Sequence, residues 1–472
     1  MNMILILQIT TIIIGFYMAW NIGANDVSNA MGTSVGSKAL TLKKAVYLAA
    51  ILEFSGALFL GSNVSETIQK GIINPEVFHM DPMIFALGMM GALLSTGIWL
   101  HLASFLRIPV STTHAIVGAV AGFGVLVGGM AALNWAKIVS IVLSWLIAPI
   151  ISGAFAYLLF SIIQKRVLYS LNPMQATKKV IPYFVFFVFM FFTLSIVYHG
   201  LMKFHLHLSL PLALLISFIS GLFFALIAAL LTKRITITAC RTRISPHPYQ
   251  LICLEKAMKH LKRIRLSSSG EISEKATDLL NDTKKLSENL KNHTEYLKTE
   301  NEYSNVEKAF VYLQILSAAM VAFAHGANDV ANAIGPVAAV MKVLKSHTIS
   351  TSTSIPLWIL CLGGGGIVIG LATWGWRVIE TIGKKITELT PTRGFCAEFA
   401  AAITILLASK MGMPISTTHA LIGAILGVGL ARGISALNLK ILRDIFLSWF
   451  VTIPACIFLS IICFFILKLI FY

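Results

Sequence analysis

Apolar residues along this chain fall into long unbroken blocks, without the alternation of a half-buried strand or the one-sided spacing of a soluble amphipathic helix. Seven blocks precede residue 233, at 2–21, 45–63, 84–106, 112–130, 138–162, 181–200 and 209–232. Five follow, near 309–332, 356–376, 394–409, 415–431 and 445–467. Most approach the roughly 20 residues that a helix needs to cross hydrocarbon. Only helices and closed barrels satisfy the backbone in lipid, and the short alternating strands of a barrel are absent. The pattern therefore predicts an all-α polytopic membrane protein with about twelve transmembrane helices.

Between the two groups, residues 233–308 are rich in Lys, Glu, Ser and Asn, with heptad-like apolar spacing in "LEKAMKHLKRIRL" and "ATDLLNDTKKLSENLKNHTEYL". This predicts a solvated, partly helical loop. The chain then divides into an N-terminal membrane repeat (1–164), additional membrane helices (165–232), the charged loop (233–308) and a C-terminal membrane repeat (309–472).

Composition agrees. Of 472 residues, 57% are hydrophobic and 12% charged, and the mean hydropathy is +0.82; soluble domains carry roughly 25% charged residues. The first block has no basic leader and no small-residue cleavage site before it runs into a polar motif, so it reads as a retained span. Its six cysteines, Cys240, Cys253, Cys361, Cys396, Cys456 and Cys463, show no metal or redox spacing. The net charge of +17 raises the question of nucleic acid. With the N-terminus outside, 30 of the 37 Lys and Arg fall on the cytoplasmic side of the predicted spans. The positive-inside bias therefore accounts for the charge, makes both termini external and the 233–308 loop cytoplasmic, and implies no nucleic-acid partner. Short loops and no transit peptide point to a bacterial inner (plasma) membrane.

Internal repetition organises the rest. "GANDVSNAMGTSVGS" at 23–37 returns as "GANDVANAIGPVAAV" at 326–340, 303 positions on. "PVSTTHAIVGAVAGFGV" at 109–125 returns as "PISTTHALIGAILGVGL" at 414–430, 305 positions on. Copies separated by seven spans, an odd number, face opposite ways in a bilayer. That is the inverted-repeat plan of many secondary transporters, with a site near the midplane.

Each motif carries chemistry that lipid penalises. A carboxylate at the bilayer centre costs about 2.5–3.5 kcal/mol on insertion scales, yet Asp26 and Asp329 recur at matched positions, each flanked by two asparagines: Asn25 and Asn29, Asn328 and Asn332. As helix caps they would need no duplication; as hard oxygen donors they suit Na⁺ or a proton path. Gly23 and Gly326 are expected to let the backbone open there. Pro109 and Pro414 mark helix breaks. The helices that follow present Ser111, Thr112 and Thr113, and Ser416, Thr417 and Thr418, whose hydroxyls and first-turn N–H groups form a receptor for a tetrahedral oxyanion. Gly118, Gly122, Gly423 and Gly427 behind them allow close helix packing. His114 and His419 are expected either to donate to the bound anion or to support the residues that do.

Glu53 and Glu398 interrupt apolar blocks and read as cation ligands or proton carriers, helix-to-helix bonding being the structural alternative. They lack counterparts at the motif offset: Glu398 corresponds to Leu93. Glu66 and Glu380, in "VSETI" and "VIETI", do correspond, but at span ends. His325, ahead of the second acidic motif, has Ile22 as its counterpart. Ionised aspartates repel the anion that the helix starts attract; a cation between them removes the conflict, so each ligand raises the other's affinity. No GxxxxGK[ST] loop supports a nucleotide-driven pump: "GTSVGSKAL" has Ser37 where that loop needs lysine.

The paired GANDVxNA and P-(V/I)-STTH segments, with Glu53, His325 and Glu398, closely resemble the inorganic phosphate transporter (PiT) family of cation-coupled phosphate permeases. The likeness covers nearly the whole chain outside 165–308. It implies a twelve-helix, inverted-repeat symporter that imports inorganic phosphate with Na⁺ or H⁺, needs no other cofactor, and forms a homodimer in which a substrate-carrying domain moves against a scaffold. On the same basis Asp26 and Asp329 are essential cation-site residues, Glu53 and Glu398 have transport roles, and the two Ser-Thr-Thr runs bind phosphate. The competing expectations are a sulfate or other oxyanion symporter and, from a different class, a membrane phosphotransferase using His114 or His419.

Overall fold

The computed structural model describes residues 3–78, 81–200, 208–234, 248–295, 300–349, 355–376, 378–379, 389–433 and 439–472. Cys240 and Glu380 lie outside them. The helices are α1 (Met3–Gly36), α2 (Leu42–Lys70), α3 (Pro82–Phe105), α4 (Thr112–Gly128), α5 (Trp135–Ile163), α6 (Pro173–Ser195), α7 (Leu210–Arg234), α8 (Pro248–Ser267), α9 (Glu271–Glu295), α10 (Glu300–Ser346), α11 (Leu357–Thr373), α12 (Pro391–Lys410), α13 (Thr417–Arg432) and α14 (Leu439–Phe471). Among the described residues nine helices are long and apolar enough to cross a membrane, and α4, α11 and α13 are shorter apolar helices. The described residues contain no sheet, only an isolated bridge between Ile73 and Leu133. The molecule is an all-helical integral membrane protein.

The chain forms two compact units. The first comprises residues 1–161, 184–225 and 310–472; the second, 162–183 and 226–309. In the second, α8 and α9 form a hairpin that turns at Gly270, whose φ is +66°. Tyr303 donates to the carbonyl of Leu168 at 2.5 Å, and Lys256 lies 5.6 Å above the Tyr169 ring. Among the described residues of the expected partly helical loop, α8 and α9 are thus a helical pair, and α8 lies beside Tyr169 of the same unit.

In the first unit α1 packs on α3 and α11, α2 on α11, α14 on α3 and α4, and α12 on α13. The two breaks expected at proline are present: α3 ends at Phe105 and α4 begins at Thr112; α12 ends at Lys410 and α13 begins at Thr417. Both breaks turn through a left-handed residue, Arg107 (φ +59°) and Gly412 (φ +65°). Behind them the small residues pack closely, Gly423 on the carbonyl of Pro149 and Gly118 on that of Ile453.

One expectation is corrected. The backbone does not open at Gly23 or Gly326: α1 runs unbroken for 34 residues and α10 for 47, each through its acidic motif. At 1.5 Å per residue these helices span about 50 and about 70 Å. The reason is twofold. Neighbouring helices supply hydrogen-bond partners to the asparagines, so the helix need not unwind to solvate them. The glycines serve close approach instead: a methyl built on Gly23 would lie 1.9 Å from the Ile367 carbonyl oxygen, and one on Gly326 lies 2.1 Å from that of Glu53.

Candidate functional site

Residues 21–34 of α1 and 320–340 of α10 are buried throughout, so every polar group of both acidic motifs must find a partner inside the protein. Asn25 reaches the break between α3 and α4: Nδ2 donates to Ser104 Oγ and to the Ile108 carbonyl, both at 3.2 Å, and Oδ1 accepts from the Val110 N–H at 3.3 Å. Asn328 makes the matching reach to the other break: its amide, turned so that every partner is satisfied, accepts from Ser409 Oγ at 3.0 Å and donates to the Ile415 carbonyl and to Asp329 Oδ1, each at 3.1 Å. Both side chains are thereby engaged in holding the breaks in place. Ser104 and Ser409 escaped sequence reasoning, although they were legible in it: "ASFLRIP" at 103–109 and "ASKMGMP" at 408–414 extend the second repeat backwards with the same offset.

The helix starts α4 and α13 meet each other. Ser111 and Ser416 are their N-caps, accepting from the His114 and His419 N–H groups at 3.2 Å each; each hydroxyl keeps its own proton to donate. Thr113 Oγ1 donates across to the Ile415 carbonyl at 2.9 Å, and Thr418 Oγ1 to the Val110 carbonyl at 3.4 Å. Two helix N-termini, each with a positive dipole end and unpaired first-turn N–H groups, therefore converge on one place.

The acidic motifs lie against the same place. Asn29 Nδ2 donates to Thr418 Oγ1 at 2.7 Å, and Asn332 Nδ2 lies 3.2 Å from Thr112 Oγ1 and 3.4 Å from Thr113 Oγ1. Thr417 Oγ1 donates to Asp329 Oδ2 at 2.6 Å. His325 sits among three acids: Nε2 is 2.9 Å from Asp329 Oδ2 and 4.0 Å from Asp26 Oδ2, and Nδ1 is 3.3 Å from Glu53 Oε1. All four side chains are at most 1% exposed. Asp26, His325 and Asp329 are close enough together to hold a metal ion. The oxygens left without a hydrogen-bond partner around them, Asp26 Oδ2, both carboxylate oxygens of Glu53, Asn29 Oδ1 and Asn332 Oδ1, are hard donors of the kind alkali and alkaline-earth cations take.

The arrangement of hydroxyls, dipole ends and carboxylates matches the chain's likeness to known proteins. Residues 22–460 match the model of the phosphate transporter family. The chain belongs to that family. Within it, the chain is 41% identical over 460 residues to inorganic phosphate transporter 2-1 of Arabidopsis thaliana, covering 97% of this chain and 71% of that one. It is 44% identical over 469 residues to a candidate phosphate permease of Chlamydia trachomatis, covering 99% of both. A solved structure described as the sodium-dependent phosphate transporter superposes with a TM-score of 0.79 at 34% identity, over 98% of this chain and 99% of that one. The phosphate transporter family is a family of carriers, which separates the chain from phosphotransferase chemistry.

Two groups of residues stand apart from this centre in the family member described here. His114 and His419 turn into an aromatic box: His419 stacks on Trp449 with ring centroids 3.4 Å apart, His114 lies 3.9 Å from Trp145, and the two imidazoles meet edge to face at 4.5 Å. His419 Nδ1 lies 3.3 Å from the Trp145 carbonyl. Such packing backs the helix starts from behind. Glu398, fully buried in α12, forms a separate cluster. It accepts from Thr33 Oγ1, from Ser34 Oγ and Ser317 Oγ at 2.6 Å each, and from Gln314 Nε2 at 3.4 Å, and Ser37 Oγ donates to Gln314 Oε1 at 2.7 Å. Among the described residues no ion pair joins Glu398 to a basic side chain. Thr33, Ser34, Gln314 and Ser317 carried no signal in the chain, because their repeat counterparts are Pro336, Val337, Thr11 and Ile14.

Proposed function

We propose that the protein imports inorganic phosphate by symport with a cation. Likeness to a structure described as a sodium-dependent phosphate transporter favours Na⁺ over H⁺ as the coupling ion. One observation carries the reading: Asn29–Thr418 and Asn332–Thr112 join each acidic motif to a hydroxyl-lined helix start of the opposite repeat, so cation and anion share a single polar enclosure.

In this reading phosphate is held by the first turns of α4 and α13, through Thr112, Thr113, Thr417 and Thr418 with Ser111 and Ser416. Cations are held beside it by Asp26, Asn29, Asp329 and Asn332, with Asn25 and Asn328 shaping the enclosure and Glu398 offering a further cation position. An anion alone meets two buried carboxylates, and a cation alone leaves the dipole ends unpaired, so occupancy by both is favoured and the two affinities are linked reciprocally. Residues 1–164 and 309–472 act as inverted repeats totalling about twelve spans with 165–232, the breaks at Pro109 and Pro414 lying within the bilayer. Both termini are external, 233–308 is cytoplasmic, and the host membrane is a bacterial inner membrane in which two copies associate.

The test is uptake of labelled phosphate into proteoliposomes under a Na⁺ gradient with the proton gradient collapsed, then the converse, with excess sulfate as competitor. Uptake driven by one gradient and resistant to sulfate is expected. Competition by sulfate as strong as by unlabelled phosphate would transfer the reading to a general oxyanion carrier.

A further inference from the structure

The repeats build one niche twice and finish it differently. Gly326 of α10 rests on the backbone of Glu53 in α2, and Gly23 of α1 on that of Ile367 in α11. A methyl on Gly56 would lie 2.0 Å from the Phe323 carbonyl oxygen, and one on Gly370 lies 1.9 Å from that of Trp20. The α1/α11 crossing is thus the counterpart of α10/α2, with α2 and α11 related by an offset of 314. Beside the first crossing four rings pack together. His101 of α3 lies 4.6 Å from Trp374 and 5.7 Å from Trp20, Tyr17 lies 6.1 Å from His101, and Trp20 Nε1 donates to Thr373 Oγ1 at 3.0 Å.

The counterparts of Tyr17, Trp20, His101 and Trp374 in the second repeat are Met320, Phe323, Leu406 and Leu60. Three rings are replaced by thinner side chains. Leu60, Met320 and Leu406 there line a cavity of about 80 Å³, closed along one side by Phe191, Leu194 and Tyr198, which follow from α6 and lie outside the repeats. Lys410 lines it too, exposed, with its ammonium 5.0 Å from the centre of the Tyr198 ring. The first repeat has Phe105 in that place, and among the described residues no carboxylate pairs with Lys410.

Depth sorts these groups. The 20 residues of α12 from Pro391 extend about 30 Å, one hydrocarbon thickness, so Lys410 at their end reaches headgroup level. Lysine and tyrosine are the side chains that settle there. Leu407, three residues deeper on the same face, is exposed although α12 is a candidate membrane span, and it lines the cavity as well. The cleft therefore offers apolar walls at the depth of lipid tails and a cation at the depth of their headgroups. Free phosphate would match the cation and leave the walls uncovered; a lipid matches both.

We propose that this cleft binds one anionic phospholipid, with an acyl chain against Leu60, Met320 and Leu406 and the headgroup phosphate on Lys410. Ser409 lines the same cleft and donates to Asn328 at the break between α12 and α13, so the bound lipid steadies the end of the helix that braces the polar centre.

The experiment offers phosphatidylglycerol or phosphatidylcholine to the delipidated full chain and reads native mass spectra and thermal melting. One phosphatidylglycerol per chain is expected, retained about fivefold better than phosphatidylcholine and raising the melting temperature. Lys410→Gln is expected to bring the two lipids within about twofold of each other. Leu60→Trp with Met320→Tyr installs the rings that the first repeat carries at these places, and is expected to lose both lipids. No retained lipid on the unaltered protein, melting indifferent to phosphatidylglycerol, a preference that survives Lys410→Gln, or full retention by the ring-filled variant would each overturn the proposal. So would displacement of phosphatidylglycerol by excess inorganic phosphate, which would give Lys410 to the free anion, or a dimer lost in the ring-filled variant with no lipid found, which would give the cleft to a second copy. Should the ring-filled variant fail to fold, Lys410→Gln decides.

Discussion

Asn29 and Thr418 stand 389 positions apart in the chain and share a hydrogen bond of 2.7 Å inside the protein. The bond runs from the acidic motif of the first repeat to the helix start of the second. Asn29→Ala removes it and one orphan oxygen together, and is expected to lower phosphate uptake in proteoliposomes at least about tenfold, while the loss of a single buried hydrogen bond costs only about 1–3 kcal/mol of stability. Uptake within twofold of the unaltered protein, with normal detergent-gel-filtration behaviour, would remove the bond from the transport machinery.

Asp26→Asn and Asp329→Asn are each expected to abolish coupled uptake with membrane expression retained. The amide keeps the shape of the carboxylate but removes the negative charge that offsets the cation. Radiolabelled uptake and quantitative immunoblotting of the same membranes check this; near-normal transport by either variant would release that residue from its assigned role.

Gly23→Ala and Gly326→Ala each place a methyl about 2 Å from a backbone oxygen that no rotamer change can move. Overpacking of this kind costs about 1–3 kcal/mol, so both variants are expected to unfold at lower temperature in detergent. Gly365 has nothing within 4 Å of the added methyl, and Gly365→Ala serves as the control, neutral or stabilising by up to about 1 kcal/mol through helix propensity. Equal melting of all three variants would refute the close approach.

Ser317→Ala takes one of the hydroxyl donors from Glu398. A stability loss of about 1–3 kcal/mol is expected. Glu398→Gln removes the charge, and is expected to shift the cation concentration at half-maximal uptake by about tenfold or more. An unchanged cation dependence in Glu398→Gln would make the cluster structural only.

Much of the fold and part of the site could be read along the chain. The two prolines announced the breaks, the hydroxyl runs announced the helix starts, and the duplicated motifs pointed to the buried acids. Other signals were read with the wrong physics: Gly23 and Gly326 suggested an opened backbone, whereas in the protein they remove a side chain from a helix crossing. Glu53 has no acidic counterpart even at the 314 offset between α2 and α11, where Ile367 takes its place. The same offset separates "VSETI" (64–68) from "VIETI" (378–382), and the crossing shows that it governs the helix packing as well.

Lipid sets a severe local rule, that backbone polar groups pair within their own segment. Because that rule acts residue by residue, the chain alone determined the helices, the breaks and the presence of repeated polar motifs. Which side chain meets which is settled by helix crossings between segments hundreds of residues apart, and such crossings leave no local trace. Tertiary structure alone therefore decided that Asn25 and Asn328 brace the breaks, that His114 and His419 pack into tryptophans, that Glu398 gathers hydroxyls from α1 and α10, and that His325 sits among Asp26, Glu53 and Asp329.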